Sequence, residues 1–145
     1  MIGPVVVAVA VASLILGGSP PTAAEATPAA TAKSDVTYHV RLSQKPAEIN
    51  VDGTVSVIGW IRCSPNLYTF EYDVGVGQPA AQGSEFVSGA NLPCDGKRHR
   101  FVTSVSPHEG TFSRGGADIS VYVGLYYAAQ DADLAAYDTV STRLR

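Results

Sequence analysis

The sequence predicts an all-β domain, an immunoglobulin-like antiparallel sandwich of two sheets and about seven strands, closed by one disulfide. Three observations carry that expectation. Apolar residues recur at every second position in successive segments, while the three-to-four spacing of an amphipathic helix is nearly absent. Gly, Pro and Asp-Gly turn signals separate those segments at short intervals. Only two cysteines occur, Cys63 and Cys94, so an internal bridge has a single possible pairing.

The first forty residues are a different material from the rest. An apolar run over 5–16 is followed by Gly-Gly-Ser-Pro-Pro and then Ala-Glu-Ala at 24–26, the pattern of an export signal with its cleavage site. Residues 1–26 are therefore expected to be a signal peptide, although no Lys or Arg precedes the run. The run is shorter than the roughly 20 apolar residues needed to cross hydrocarbon, so no membrane span is expected after cleavage. Residues 27–34, rich in Ala, Thr and Pro, read as a flexible leader to a domain at 35–145.

Val36, Tyr38, Val40 and Leu42 alternate with polar residues as one strand, which Lys45-Pro46 ends. After the Asp52-Gly53 turn, Val55, Val57, Ile61 and Cys63 share a parity, and Gly59 stands where a bulge or a close backbone approach would fall. Tyr68, Phe70, Tyr72, Val74 and Val76 then share one face, with Thr69, Glu71 and Asp73 on the other, until Gly75, Gly77 and Pro79 break the pattern. A weaker strand covers 85–88, and another runs from Arg98 with Phe101, Thr103 and Val105 in phase until Pro107 closes it. Gly115-Gly116 introduces the clearest strand, with Ala117, Ile119, Val121, Val123, Leu125 and Tyr127 to one side. A polar stretch at 130–133 precedes a last short strand at 139–144.

The segment CDGKRHRF at 94–101 collects a thiol, a carboxylate, three cations and an imidazole. In an oxidising compartment Cys94 is expected to be bridged to Cys63, which leaves no thiolate for catalysis. The histidines stand singly at 39, 99 and 108, without the short paired spacing of a zinc site. Lys97, Arg98 and Arg100 read as a solvated positive face guarding a strand, and no second basic segment accompanies them.

The stretches GWIRCS at 59–64, CDGKRH at 94–99 and FSRGGA at 112–117 together resemble a family of small exported actinobacterial domains of unknown function. The likeness covers most of the chain after about residue 46. It implies export, one disulfide and a sandwich, and it implies no catalytic residue. Phe101 departs from the family, where Trp is expected, and either ring can fill a core position.

The net charge is −3 and no phosphate-binding Gly loop, serine elbow or zinc-protease motif occurs, so neither nucleic acid nor a cofactor is expected as a partner. Asp131 and Asp133 lack the further ligands of a calcium loop. What survives is a set of rings: Trp60, and Tyr122 and Tyr126 flanking Gly124, which would form a shallow platform over a gap left by the glycine. The expected function is a secreted, non-enzymatic module that binds an extracellular protein or glycan through such a face or the end loops. Two alternatives are an accessory hydrolase using Glu71 and Asp73 as acid and base, and a protease inhibitor presenting residues 64–67 beside the bridge.

Overall fold

A computed structural model describes residues 36–145. The expected signal peptide at 1–26 and leader at 27–34 lie outside the described residues. The strands are β1 (Tyr38–Leu42), β2 (Glu48–Ile49), β3 (Val55–Cys63), β4 (Leu67–Gln78), β5 (Ala81–Ser88), β6 (Arg98–Val105), β7 (Pro107–Glu109), β8 (Gly115–Tyr127) and β9 (Ala132–Leu144). Seven of them have five or more residues, matching the expected number, and all strand pairs are antiparallel.

In the first sheet β3 is central, with β1 and β2 along one edge and β6 along the other; the second sheet runs β7-β5-β4-β8-β9. The chain changes sheet between β3 and β4, between β5 and β6, and between β6 and β7, while β4-β5 and β8-β9 are hairpins. That is an immunoglobulin-like order. The core is built by alternation: Val55, Val57, Ile61 and Cys63 of β3 and Phe101 and Val105 of β6 meet Val74 and Val76 of β4 and Ile119, Val121, Val123 and Leu125 of β8. Polar links cross between the sheets at the β2–β9 seam, where Ala47 and Ile49 donate to the Arg143 and Arg145 carbonyls and Glu48 pairs with Arg145, and at two further places. The Thr103 hydroxyl donates to the Tyr72 hydroxyl at 3.1 Å, and the Leu42 amide on the outer edge of β1 donates to the Asp138 carboxylate of β9 at 2.7 Å.

Cys63 and Cys94 form the disulfide, across 31 residues. Cys63 ends β3 and is fully buried, whereas Cys94 sits in the segment that carries the chain from β5 back to β6, so the bridge ties a sheet to the adjoining loop. Gly96 adopts φ +80°, its amide donates to the Cys63 carbonyl at 2.8 Å, and Arg62 Nε donates to the Gly96 carbonyl at 2.8 Å. His99 Nε2 lies 2.7 Å from Asp95 Oδ1, and that bond, followed by the Lys97 amide, holds the Asp95 carboxyl below the usual carboxylate range. The segment that looked like chemistry is a fastened turn leading into a strand.

Four sequence expectations change. β3 runs through Gly59 without a bulge, in register with Leu42 on one side and Phe101 on the other. The close approach foreseen as the alternative is made by a ring before backbone: a Cβ there would stand 2.3 Å from Phe101 Cζ. β4 does not break at Gly75 or Gly77 but continues to Gln78, and β5 starts at Ala81 rather than 85. Within β4 the register shifts between Thr69 and Glu71, which turns Tyr68 and Phe70 outward and Thr69 inward. The buried Thr69 hydroxyl then donates to the Ala90 carbonyl at 2.7 Å and accepts the Leu92 amide at 3.1 Å, clasping the segment that precedes Cys94. Finally, only the first half of the polar stretch 130–133 is a connection: after a single 3-10 turn at Ala128–Gln130, with Asp131 at φ +48°, β9 begins at Ala132 rather than near 139 and pairs with β8 along its whole length.

Candidate functional site

Direct pairing across an antiparallel sheet puts opposed residues on the same face, so the registers define the outer face of the second sheet row by row. Tyr68 of β4 stands opposite Tyr126 of β8, which stands opposite Asp133 of β9. Glu71 stands opposite Gly124, and Asp73 lies between Tyr122 and Phe86. Tyr122 in turn meets Tyr137. The bulge residue Phe70 completes the set, its ring lying over Gly124 at a point 2.8 Å from where a Cβ would be.

The result is six rings on one face, Tyr68, Phe70, Phe86, Tyr122, Tyr126 and Tyr137, with Glu71 and Asp73 interspersed among them. The Tyr68 and Tyr126 rings stack at 5.9 Å with 23° between their planes, and the Tyr122 and Tyr137 rings meet at 5.0 Å. Tyr68, Phe86 and Tyr137 keep 54, 58 and 70% of their surface in water, large values for apolar side chains with no structural need to be wet. The expected gap at Gly124 does not exist, because Phe70, read as inward, fills it.

Of the three rings singled out in the sequence, Tyr122 and Tyr126 belong to this surface and Trp60 does not. Unbroken alternation in β3 puts Trp60 on the outer face of the other sheet, beside Arg41 and Arg100, with the Arg98 guanidinium 4.4 Å from its ring centre. The three rings are not one site.

Polar chemistry surrounds the aromatic patch. The Tyr126 hydroxyl donates to Asp131 at 2.6 Å, and this bond, ahead of burial, raises its pKa above the ordinary phenol value. Burial, followed by the negative charge of Glu71, does the same for Tyr122. Both phenols therefore stay protonated at physiological pH, with the Tyr126 proton given to Asp131. Asp73 Oδ1 is the exception to good bonding: it is buried and has no hydrogen-bond partner, alone among the side-chain polar atoms of the described residues. Such a group costs about 1–3 kcal/mol, and a site that waits for a donor is one account of why it is kept.

Beyond Asp73 the same face becomes a shallow trough. Gly75 and Gly77 put no side chain there, and Gln82, Asp118, Ser120, Thr139 and Ser141 line it. Glu71, Asp73, Asp118, Asp131 and Asp133 give the face its charge, and the pairing puts a cation on it only at its far end, where Arg143 meets Gly116. A separate cleft of about 190 Å³ lies between Leu42, Val57 and Ile119 at the seam of the sheets, rimmed by the Glu48–Arg145 ion pair. It is smaller than the usual small-molecule site of about 300–1,000 Å³.

Glu71 and Asp73 both project from the open outer face, two residues apart, rather than into a cleft. Residues 64–67 form a tight turn, closed by the Leu67 amide donating to the Ser64 carbonyl at 3.0 Å, with only Pro65 and Asn66 exposed. No protein-family model and no curated protein matches the chain, so the resemblance to small exported actinobacterial domains is carried by the three motifs alone.

Proposed function

We propose that this chain is an exported, non-catalytic binding module that holds a neutral glycan on the outer face of the β7-β5-β4-β8-β9 sheet. The observation that carries this reading is the set of six outward rings on one face, next to a trough of carboxylate, hydroxyl and amide groups. Rings of this kind stack on the apolar faces of sugars, and the acceptors beside them suit sugar hydroxyls. An acidic polymer would be repelled by the five carboxylates. Export is supported by the 1–26 segment and by the disulfide.

Glu71 and Asp73 serve this reading as hydrogen-bond acceptors. Neither lines the trough or the cleft described above, whereas general acid and base catalysis of glycoside cleavage favours a site that closes over the reacting bond. The experiment is retention on a panel of insoluble and soluble neutral polysaccharides. Tyr122→Ala and Tyr126→Ala are each expected to weaken retention about tenfold or more, as truncation of a central aromatic contact does. Retention untouched by both changes, or glycan turnover that Glu71→Gln abolishes, would overturn the reading.

Asp73 supplies a sharper prediction. Asp73→Val removes the unsatisfied oxygen and puts a good strand former in its place, so the unfolding midpoint in denaturant is expected to rise by the equivalent of about 1–2 kcal/mol. Glycan retention is expected to fall at the same time. A residue with a purely structural role would move both quantities downward together.

A further inference from the structure

From the outer face of the first sheet we infer a second binding site, distinct from the aromatic face, that takes a linear acidic polysaccharide through four arginines. The register assembles them from three strands: His39, Arg62 and Arg98 form one row, and Arg41, Trp60 and Arg100 the next. Neighbouring strands lie about 4.8 Å apart and alternate residues along a strand about 6.7 Å apart, so the guanidiniums are spread over a patch of roughly 10 by 7 Å. In the sequence only 97–100 stood out as basic; the pairing supplies the second basic segment.

Edge protection explains Arg98 and Arg100, which lie on the edge strand β6. It does not explain Arg62, which lies on the central strand β3 directly opposite Arg98, an arrangement of like charges that costs stability. No carboxylate relieves it. The ion pairs among the described residues are His99–Asp95 and Arg145–Glu48, so none of the four arginines is neutralised within the described domain. Two of them are nevertheless held in place. Arg62 is fixed through Nε to the Gly96 carbonyl, which leaves its terminal nitrogens free, and the Arg98 guanidinium sits over the Trp60 ring, 4.4 Å from its centre. Trp60 is thus a pedestal for a guanidinium rather than a ring for a ligand. A prearranged set of planar donors with no internal anion is suited to bidentate capture of carboxylate or sulfate.

The same geometry selects among polyanions. Single-stranded nucleic acid needs free aromatic faces for base stacking, and the one ring here is already covered by Arg98. Duplex binding rests on several more phosphate contacts than four arginines on so small a patch supply. A linear polysaccharide with carboxylate or sulfate groups along one edge needs only a short run of cations.

Trp60 is the chain's single tryptophan, so tryptophan emission, excited apart from the tyrosines, reports on this face alone. The full exported chain would be titrated with polygalacturonate and with heparin, with neutral dextran and a dT oligonucleotide alongside. The expected result is a change in tryptophan emission with both acidic polysaccharides and with neither control. Affinity should fall steeply with salt, and Arg62→Glu/Arg100→Glu should weaken it at least tenfold while leaving the near-UV circular dichroism intact. Tyr126→Ala should leave it unchanged, which separates this site from the one proposed above. Three results would overturn the inference: no acidic polysaccharide binding at low salt, equal or tighter binding of the oligonucleotide, or salt-reversible self-association in the absence of polymer that the double variant removes. The last would mean that the basic face docks on the acidic face of a second copy.

Discussion

Loss of the Cys63–Cys94 bridge, by reduction or by replacing both cysteines with alanine, is expected to lower the unfolding free energy by about 3–4 kcal/mol. The loop it closes spans 31 residues, and the chain-entropy relation for a loop of that length gives a value in this range. The local structure gives no ground for a smaller cost. The segment at 89–97 crosses from one sheet to the other with only Ala90 fully buried, and besides the bridge it is fastened mainly by the Thr69 clasp and the two bonds around Gly96. Released, it would loosen the start of β6 and with it the turn that positions Arg62. Guanidinium unfolding of oxidised and cysteine-free protein, followed by circular dichroism, measures the difference. A loss below about 1 kcal/mol would mean that the crossing segment holds itself in place.

Gly59→Ala is expected to cost about 3 kcal/mol, comparable to deleting a large core side chain. The added Cβ would lie 2.3 Å from Phe101 Cζ, 2.7 Å from Phe101 Cε1 and 3.0 Å from the Arg41 carbonyl. The ring has nowhere to go: Phe101 is buried, and the Tyr72 ring stands 5.6 Å beyond it. Trimming the obstacle tests the cause. Phe101→Leu should be destabilising on its own, yet Gly59→Ala/Phe101→Leu should be more stable than the sum of the two single changes by about 1 kcal/mol or more. Strict additivity would show that Gly59 is required for some other reason, such as its place in the β3 ladder.

The same two residues show how far the sequence could be read. Alternation identified β1, β3, β6 and β8, because each has one dry face and the periodicity of a half-buried strand is strong. It found only the end of β9, at 139–144, because the first half of this edge strand, ADLAAYD, carries few bulky apolar residues; the long ladder with β8, not its own pattern, makes that half a strand. Gly59 was ambiguous, since a bulge and a close approach leave the same letter in the sequence, and only the ring of Phe101 decides between them. The bulge at Phe70 left no mark beyond two aromatic residues in the wrong phase. That single inserted residue moved Tyr68 and Phe70 from the expected core to the outer face, and the aromatic surface cannot be seen without it. The arginine patch was hidden for another reason: its members are scattered from 41 to 100, and only pairing register brings them together.

Chemical-shift mapping by NMR tests the proposed glycan face most directly. Isotope-labelled exported protein would be titrated with the neutral oligosaccharide that gives the strongest retention. Perturbations should concentrate on the outward positions of β4, β5, β8 and β9, strongest at Glu71, Asp73, Tyr122, Gly124 and Tyr126, with the Trp60 indole signal unmoved. Shifts clustered instead on β3 and β6, or spread along the 64–67 turn with the tyrosine rows silent, would contradict it.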